Sequence, residues 1–556
     1  MSDNAAVDED EQTDVVIVGG SLVGLTTSLL LSRYGVRNVV VEKHRGTAIH
    51  PRAASFHQRT MEVFRHAGVQ EIVEEAAAGE FVQNGAIVAV ESLCGKELQY
   101  FYRSWNEGVE DLSATSRLFI TQVGLEPLLR DAAAAAGATH LFGTQVLEVR
   151  QDADGVSTTV QPRDGGPSRE IRSRYVVAAD GAHSAVREQL GIAMPGHGTA
   201  DCVTVYFGAD MTDMIGERNL SVIYVLHPQM LGFFRFSFDR QSGFLSIFSV
   251  TDPVTGERFD LGADVPEERA VDWVRMALGC ADDVAVRIDS IQHWEASADC
   301  AERFSDGRVF LAGDSAHTMP PTGGWGGNTG VADAHNLAWK LAMVVHGQAD
   351  PRLLDSYDQE RRPAALMTVE QAYSIYAGRY AERSSSSDEK PLAEPRPAED
   401  IELGTVYRSG ALLDPTATPY ADGEEAATRD PRADGAPVGA RVPHVELHGD
   451  GQDASTHDLA AHRFVLLTGR AGDGWHAAAA TVGGETGLPL DDPRLPDADV
   501  ERISAGLGLA DDGALILRPD GVIAWRADGA AAPGEHEERL RAAMTRLLGH
   551  PAPVAV

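Results

Sequence analysis

Residues 14–42, DVVIVGGSLVGLTTSLLLSRYGVRNVVVE, decide the fold of this chain. The run DVVIV at Asp14–Val18 is continuous and rich in β-branched residues, as expected of a strand that is buried on both faces. A glycine-rich turn, GGSLVG, leads into LTTSLLLSRY, which has the composition of a helix and is closed by Gly35. A second apolar run, NVVVE, ends at Glu42. This strand–helix–strand order predicts an α/β fold with a parallel sheet.

The turn Gly19–Gly24 lies where the glycine fingerprint of dinucleotide-binding units belongs. Gly19 permits the tight turn, Gly24 lets helix and strand pack closely, and the helix N-terminus offers N–H groups to a pyrophosphate. Ser21 replaces the middle glycine, and its side chain either crowds the pyrophosphate or donates a hydrogen bond to it. Glu42 follows about 20 residues on, where an acid accepts hydrogen bonds from a ribose. The pattern predicts a bound dinucleotide but does not separate FAD from NAD.

Charge and composition limit the classes of partner. The 556 residues carry a formal net charge of −36, which repels phosphate backbones and anionic membranes, so we expect no nucleic-acid or membrane partner. The four cysteines form no C-x-x-C pair, which argues against a zinc ribbon, a dithiol centre or a disulfide scaffold. The acidic N-terminal segment is unlike a signal peptide, and no apolar run is long enough to span a bilayer. We therefore expect a cytoplasmic protein without a metal site, either a monomer or a homodimer.

The rest of the chain predicts a second layer and a terminal unit. Aromatic and β-branched residues alternate with polar ones over 202–250, which is typical of antiparallel strands that could roof a pocket. Residues 87–112 are also strand-like, whereas 60–67 and 124–136 have helical patterns. The Ser-, Pro- and charge-rich segment 384–397 is typical of a linker, and the apolar runs beyond it predict a small α/β unit.

Two further segments each end an apolar strand in a Gly/Asp pair. The first is YVVAADGAHSAVR at Tyr175–Arg187, and the second is RVFLAGDSAH at Arg308–His317, which continues through a glycine-rich run into a helix. Carboxylates at strand ends lie at the crevice where α/β sheets bind ligands. Glycines let the backbone approach a flat ligand closely, and the helix N-terminus favours negative charge, such as that of a reduced flavin. The glycine-rich run therefore favours a flavin over a nicotinamide.

With these three motifs in this order, the sequence resembles the flavoprotein aromatic hydroxylases, the para-hydroxybenzoate hydroxylase-like class A monooxygenases. It is most similar to the actinobacterial hydroxylases of aromatic polyketides, over nearly the whole chain. The resemblance implies a Rossmann-like FAD-binding domain at 1–185 and 295–390 and an antiparallel β-sheet substrate domain at 186–294, to which 85–112 contribute. It also implies a thioredoxin-like C-terminal domain at 391–556, which lacks C-x-x-C and is therefore not expected to carry out thiol chemistry.

The resemblance assigns FAD contacts by position. Glu42 would hold the adenosine ribose, Gln122 the flavin chain, and Asp314 the ribityl or phosphate region. Pro321 and the backbone of Asn328 would border the isoalloxazine ring. The implied cofactor-binding residues are Gly19, Gly20, Ser21, Val23, Gly24, Glu42, Lys43, Arg52, Gln122, Asp180, Gly181, Gly313, Asp314, Pro321, Gly324, Gly326, Gly327 and Asn328.

The resemblance also implies the chemistry. NADPH or NADH, as a transient co-substrate, reduces FAD; O2 adds to flavin C4a; and an electron-rich phenolic ring attacks the resulting hydroperoxide. Arg52 is the catalytic candidate, because a fixed cation near the ring can stabilise charge or orient the substrate. The alternative for Arg52 is a structural FAD contact. His317, next to the Gly/Asp pair, is expected to be a structural hydrogen-bonder.

Substrate contacts are predicted from position alone. Trp325 lies in the glycine loop, where its ring either stacks on flavin or substrate or forms a lid over solvent. Phe233 and Arg235 lie on one of the strands expected to line the pocket, with core packing as the alternative. His293 and Trp294 precede the third motif and are further candidates.

Other activities stay open. The same flavin chemistry supports Baeyer–Villiger oxidation or oxidative rearrangement of a polyketide, and some antibiotic-inactivating monooxygenases share the fold. A different class is a non-catalytic flavin- or polyketide-binding protein, against which the intact glycine loop argues. A flavin halogenase is set aside because no tryptophan lies in a W-x-W-x-I-P segment. The favoured function is hydroxylation of an aromatic polyketide in antibiotic or other secondary-metabolite biosynthesis.

Overall fold

The structure is a computed structural model of the chain. It describes residues 12–49, 54–251, 256–279, 284–380, 392–414, 416–448, 454–460, 462–486, 490–529 and 534–549. The catalytic candidate Arg52 and residues 384–391 of the predicted linker lie outside the described residues.

The strands form two large sheets, a smaller C-terminal sheet and short two-stranded ribbons. Up to the third motif they are β1 (Gln12–Val18), β2 (Asn38–Glu42), β3 (Ser55–Phe56), β4 (Ala86–Val90), β5 (Glu97–Tyr102), β6 (Leu118–Phe119), β7 (Thr139–Phe142), β8 (Thr144–Gln151), β9 (Val156–Pro162), β10 (Arg169–Ala178), β11 (Gly196–Gly208), β12 (Leu220–His227), β13 (Met230–Phe236), β14 (Ser242–Val250), β15 (Arg287–Cys300), β16 (Ser305–Asp306), β17 (Val309–Leu311) and β18 (His317–Thr318). Beyond it they are β19 (Thr405–Val406), β20 (Ala427–Thr428), β21 (Glu446–Leu447), β22 (Ala454–Ser455), β23 (Phe464–Thr468), β24 (Leu490–Asp491), β25 (Ala514–Leu517) and β26 (Ile523–Ala527).

The helices cover the sheets and connect them. They are α1 (Leu22–Arg33), α2 (Gln58–His66), α3 (Gln70–Glu80), α4 (Gln122–Ala135), α5 (Ala185–Gln189), α6 (Thr212–Ile215), α7 (Glu267–Leu278), α8 (Trp325–Val345), α9 (Asp355–Tyr380), α10 (Ala398–Leu403), α11 (Thr456–Leu459), α12 (Asp473–Thr486), α13 (Asp497–Leu507) and α14 (Glu535–Leu547).

The first large sheet has the order β16-β17-β10-β1-β2-β7, and β8 and β9 extend it from β10. Strand β1 pairs in parallel with both β2 and β10, and β10 pairs in parallel with β17. Val15, Val16 and Ile17 are completely buried, as a two-sided burial of β1 requires. The parallel sheet predicted from residues 14–42 is confirmed, and β1 begins two residues before the predicted start at Asp14.

The second large sheet has the order β18-β15-β11-β14-β13-β12-β4-β5. Its pairs are antiparallel except for β12 with β4, so the antiparallel strands predicted over 202–250 are confirmed. One face packs against α7 through a buried cluster that includes Val205, Ile247 and Trp273. The opposite face carries aromatic side chains and contacts α9 through Tyr376.

The C-terminal sheet has the order β24-β23-β25-β26, with β24 parallel to β23 and the other neighbours antiparallel. The predicted apolar strands and the last helix are therefore present. Trp475 of α12 and Met544 of α14 belong to the same buried cluster as the first large sheet. The domain boundaries and the thioredoxin-like character stay predictions.

None of the helices in the described ranges combines the length and the apolar character that crossing a bilayer requires. Within the same ranges, His, Cys, Asp and Glu side chains form no group of three that could hold a metal ion.

Candidate active site

The three sequence motifs meet at one edge of the first sheet. Strands β1, β10 and β17 are parallel neighbours, so their carboxyl ends lie together at the crevice where such sheets bind ligands. The Ala179 N–H donates to the Val18 carbonyl at 2.8 Å, and the Ala312 N–H donates to the Ala178 carbonyl at 2.9 Å. These bonds place the three turns after the strands side by side.

The turns approach each other more closely than side chains would allow. Gly19 has a φ of +107°, and a Cβ there would lie 2.2 Å from the Ala179 carbonyl oxygen. A Cβ at Gly313 or at Gly330 would lie 2.8 or 2.5 Å from Cγ2 of Val23. Glycine is thus required at the contact between the first and second turns and where Val23 packs against the third. The crevice has a floor of backbone, which suits an extended ligand.

A buried carboxylate that we did not predict organises the first turn. Glu126 is completely buried and accepts hydrogen bonds from Ser21 Oγ at 2.6 Å, from the Leu22 N–H at 3.0 Å and from Gln122 Nε2 at 3.1 Å. Its other oxygen accepts from the Ala48 N–H at 2.7 Å. The hydroxyl of Ser21 therefore donates its hydrogen bond to a protein carboxylate. Glu126 follows Gln122 by four residues on α4, and this helical spacing is the signal that could have identified it.

The acid at the end of β2 also holds the first turn. Glu42 is buried and accepts hydrogen bonds from the Gly20 N–H and the His44 N–H, each at 2.7 Å. Since a carboxylate has about four acceptor positions, these two bonds leave it able to accept from a ribose hydroxyl. The side chain of the neighbouring Lys43 is exposed.

In the second motif, Asp180 shapes the backbone of its own turn. It accepts from Ser184 Oγ at 2.5 Å and from the Val186 N–H at 3.2 Å, and burial raises its pKa. Arg187, which is also buried, donates to the Ser315 carbonyl at 3.1 Å and so joins the second motif to the third. Gly181 between them has a φ of +87° with open space around its Cβ position.

In the third motif, Asp314 is an exposed residue between the buried residues Gly313 and Ser315. Behind it, Asp333 accepts from His317 Nε2 at 2.7 Å, from Arg361 Nε at 2.8 Å and from the Gly313 N–H at 3.0 Å. Burial alone would raise the pKa of Asp333, but His317 and Arg361 lower it below its usual range. The structural role predicted for His317 agrees with these contacts. Asp333 and Arg361 lie on helices without a recognisable motif, and sequence reasoning missed them.

One amide side chain holds the glycine loop at the start of α8. Asn328 Oδ1 accepts from the His57 N–H at 2.9 Å and from Thr60 Oγ1 at 2.6 Å. Its Nδ2 donates to the Gly324 carbonyl at 2.7 Å and to the Ser55 carbonyl at 3.0 Å. The loop is thereby tied to the chain segment that follows Arg52. The half-buried residues along this loop include the predicted cofactor contacts Pro321, Gly324, Gly326, Gly327 and Asn328.

The position of Trp325 excludes one of its two predicted roles, the lid over solvent. Its ring is buried with Met367, Ala372 and Ile401 behind the loop, and its indole N–H has no hydrogen-bond partner. A ring in this position is not a lid over solvent, and it lines a small cavity beside the loop. It follows Gly323, where a Cβ would lie 2.7 Å from the indole, so glycine is needed for the ring to pack inward.

A row of aromatic rings crosses the second sheet on the face opposite α7. The ring centroids of Tyr224 and Phe233 are 6.0 Å apart, and Phe233 stacks on Phe248 at 5.9 Å. Phe248 makes edge-to-face contacts with Trp294 and Tyr376, with ring centroids 6.2 and 5.9 Å apart. Phe233, Trp294, Tyr224 and Tyr376 are only partly buried. This face brings together the predicted candidates Phe233 and Trp294 and adds two tyrosines that sequence reasoning did not select.

Arg235 is a structural residue rather than the predicted substrate contact. Its guanidinium lies 4.0 and 4.1 Å from the ring centroids of Phe81 and Phe119. It donates to the Ser221 carbonyl at 2.9 Å and to the Ala54 carbonyl at 3.1 Å. Burial lowers its pKa to about 9. Because both faces of the guanidinium are covered by rings, it joins the second sheet to the backbone just after Arg52.

His293 also departs from the prediction. It pairs with Val203, a member of the cluster against α7, and its Nδ1 lies 3.0 Å from the Leu261 carbonyl. Neighbouring residues on a strand point to opposite faces, so His293 and Trp294 cannot line the same pocket. Only Trp294 lies on the aromatic face.

A cavity of about 80 Å³ adjoins the glycine loop at the start of α8. Its lining includes His57 and Glu402, whose Nδ1 and Oε1 atoms are 3.7 Å apart, and Glu402 accepts from Arg117 Nε at 2.9 Å. Burial raises the pKa of Glu402 to about 7 against the opposing effect of Arg117. Burial and the same arginine lower the pKa of His57 to about 3. The cavity therefore disfavours the charged forms of both His57 and Glu402.

Comparison with known proteins identifies two matching family models. The model described as FAD binding domain matches residues 12–372, and the model described as aromatic-ring hydroxylase, C-terminal, matches residues 436–551.

Curated relatives and a solved structure match almost the whole chain. The 4-methyl-5-nitrocatechol 5-monooxygenase of Burkholderia sp. is 44% identical over 545 residues, covering 97% of this chain and 98% of that protein. Aklavinone 12-hydroxylase RdmE of Streptomyces purpurascens is 38% identical, covering 97% and 99% of the two chains. The crystal structure of a ternary complex of aklavinone-11 hydroxylase with FAD and aklavinone superposes with a TM-score of 0.85 at 36% identity, covering 98% of this chain and all of that one.

Proposed function

The chain belongs to the FAD-dependent aromatic-ring hydroxylases, and from that premise we propose that it hydroxylates a fused-ring aromatic polyketide in secondary-metabolite biosynthesis. It is an FAD-dependent monooxygenase that uses O2 and a reduced nicotinamide co-substrate. The observation that carries the proposed substrate class is the row of aromatic rings on the second sheet. Planar fused rings pack well against such a wall because aromatic pairs prefer stacked or edge-on contacts.

We propose that FAD lies across the three glycine turns. The support is steric: Cβ atoms at Gly19, Gly313 and Gly330 would collide with their neighbours, so the crevice floor is backbone. Glu42 has acceptor positions left for a ribose, and Asp314 is an exposed residue in the third turn. The proposed contacts are Gly19, Gly20, Ser21, Val23, Gly24, Glu42, Lys43, Gln122, Asp180, Gly181, Gly313, Asp314, Pro321, Gly324, Gly326, Gly327 and Asn328. Glu126 shapes the first turn but does not bind phosphate, since two anions repel.

When bound, FAD reduced by NADPH or NADH supplies the oxygen transfer from O2. The chain contributes a dry wall, through Phe233 and Trp294, that orients the substrate ring and excludes water. Asn328 holds the loop that faces the flavin. Arg52 stays the proposed catalytic cation, and Arg235 fixes the backbone two residues beyond it.

The proposed domain arrangement has an FAD-binding part at 1–185 and 295–390, a substrate sheet at 186–294 joined by 85–112, and a thioredoxin-like part at 391–556. The order of the C-terminal sheet supports the last assignment. We propose that this part serves as structural cover, because it has no C-x-x-C pair.

A second candidate substrate is a single-ring catechol. The relative named 4-methyl-5-nitrocatechol 5-monooxygenase is 44% identical to this chain, which favours that class. The width of the aromatic face argues for fused rings, because one ring would cover only part of the row Tyr224, Phe233, Phe248 and Trp294.

One experiment separates the candidates. The purified enzyme is supplied with NADPH, O2 and either a tetracyclic phenolic anthraquinone or 4-methyl-5-nitrocatechol, and the products are analysed by mass spectrometry. We expect a ring-hydroxylated product with one added oxygen from the tetracycle. Conversion of the nitrocatechol alone would replace the proposal with the second candidate, and a ring-opened or lactone product would indicate Baeyer–Villiger chemistry. A yellow protein that never oxidises NADPH would indicate a flavin-binding protein without catalysis.

A further inference from the structure

A fully buried charge cluster joins the C-terminal sheet to helices α8 and α9. Arg518 has no exposed surface, and its guanidinium donates to the two carboxylate oxygens of Glu360 at 2.6 and 2.9 Å and to Asp520 Oδ1 at 3.0 Å. Lys340 Nζ donates to Glu360 at 2.9 Å and is also completely buried. Arg518 and Asp520 belong to the turn between β25 and β26, whereas Lys340 lies on α8 and Glu360 on α9.

The cluster is balanced in charge and well supplied with hydrogen bonds. Two cations face two carboxylates, and Glu360 accepts further bonds from Asn336 Nδ2 at 2.7 Å and Ser409 Oγ at 2.6 Å. Burial alone would raise the pKa of Glu360, but Arg518 and Lys340 hold it well below its usual range. Losing one member would leave an uncompensated buried charge, so the cluster fixes the two parts of the chain in one arrangement.

From this turn, a continuous path of contacts leads to the glycine loop. Arg59 Nη2 on α2 donates to the Asp520 carbonyl at 2.6 Å. The next residue of α2, Thr60, donates to Asn328 Oδ1 at 2.6 Å, and Asn328 donates to the Gly324 carbonyl at 2.7 Å. The helix that begins at the loop also carries Asn336 and Lys340 of the cluster. The C-terminal turn thus contacts both elements that hold the loop.

We propose that the turn Arg518–Gly521 clamps α2, α8 and α9, and that Arg518 is a positioning residue for the flavin site. It acts through Glu360 and Lys340, without touching the crevice. The C-terminal part then does more than cover the enzyme: it sets the geometry of the glycine loop. This inference rests on the proposed flavin site, because the loop is taken to border the isoalloxazine ring.

The test compares two arginines of the same C-terminal hairpin. Arg518→Met removes the clamp, whereas Arg526→Met removes an arginine that donates to the carbonyls of Ala436, Leu507 and Gly508 at 2.8–2.9 Å, all within the C-terminal part. The measured quantities are the Kd for FAD, the hydrogen peroxide released per NADPH oxidised and the melting temperature. We expect Arg518→Met to raise the Kd and the peroxide yield, the Kd by about tenfold, and Arg526→Met to change only the melting temperature.

A double variant covers the case in which Arg518→Met does not fold. Arg518→Met with Glu360→Gln removes the uncompensated charge but still lacks the clamp, so the rise in Kd and peroxide yield is expected to persist. Wild-type values for FAD affinity and coupling in these variants would overturn the inference while leaving the flavin site intact. A wild-type protein that does not bind FAD would reject the flavin site, and this inference with it.

Discussion

The two halves of helix α8 differ in what they require of their side chains. Its N-terminal end follows Gly323 and Gly324, which have φ values of +78° and +68° and are only half-buried. Its second half carries Asn336 and Lys340, which are buried and fully engaged with carboxylates. At the N-terminal end, function depends on glycines, whose lack of a side chain lets the backbone adopt this conformation. In the second half, stability depends on buried polar side chains that form hydrogen bonds and ion pairs with one another.

This comparison explains which features can be recognised from local pattern. Glycines at fixed spacing leave a signature in the sequence, because only glycine tolerates the close backbone approach. A balanced ion cluster leaves none, because its members come from distant segments, with Glu360 and Arg518 separated by 158 residues.

The largest expected effect comes from adding a side chain at a glycine that is packed against backbone. Gly24→Ala puts a Cβ 1.9 Å from the Gly19 carbonyl oxygen, where the backbone has to move, so we expect loss of bound FAD and destabilisation by about 3 kcal/mol. Gly79→Ala is the matched control, because this helical glycine has nothing within 4 Å of its Cβ position. It should stabilise the protein by roughly 0.5–1 kcal/mol. Equal effects of the two variants in denaturant unfolding would contradict the steric argument.

The next effect concerns Glu402, the acid that lines the cavity beside the glycine loop. The pKa of Glu402 rises from 4.5 to about 7 on folding, so the folded state holds its proton more tightly than the unfolded state. This stabilisation is fully present at pH values below the pKa of Glu402 in the unfolded state. It is lost as the pH rises through the pKa of Glu402 in the folded state. The free energy of unfolding should fall by up to about 3 kcal/mol between these two pKa values through this group alone.

Glu402→Gln isolates that contribution from the titration of other groups. The difference in unfolding free energy between wild type and variant should change steadily between pH 4.5 and about 7 and then level off. A pH-independent difference would show that Glu402 titrates normally.

The smallest expected effect distinguishes the two faces of one strand. Trp294 lies on the aromatic face and His293 on the face against α7. Trp294→Ala should therefore raise the KM for a fused-ring substrate by about fivefold, since it removes an aromatic contact of roughly 1 kcal/mol. His293→Ala should leave KM within about twofold of wild type. The reverse order would place the substrate on the other face of the sheet.

Local patterns predicted the first sheet well and the pocket poorly. Residues 14–42 contain their own strand, turn and helix signals, and the structure departs from the prediction only at the ends of elements. The packing of Trp325 against Met367, Ala372 and Ile401 could not be predicted, because position in a loop does not tell which way a ring turns. His293 and Trp294 could have been separated from the sequence alone, because adjacent strand residues alternate between faces.

The missed residues share a physical cause. Asp333 and Arg361 act by bonding to each other across two helices, and no spacing in the sequence marks such a pair. Glu126 could have been predicted from the sequence, because it follows Gln122 by four residues and therefore lies on the same face of helix α4.

The central claim is that the three glycine turns form one FAD site, and isothermal titration of the flavin-stripped protein with FAD tests it most directly. The wild type should bind one FAD per chain and regain a yellow colour, whereas Gly313→Val, which pushes a side chain into Val23, should not. Equal FAD binding by both proteins, or no binding by the wild type, would contradict the account.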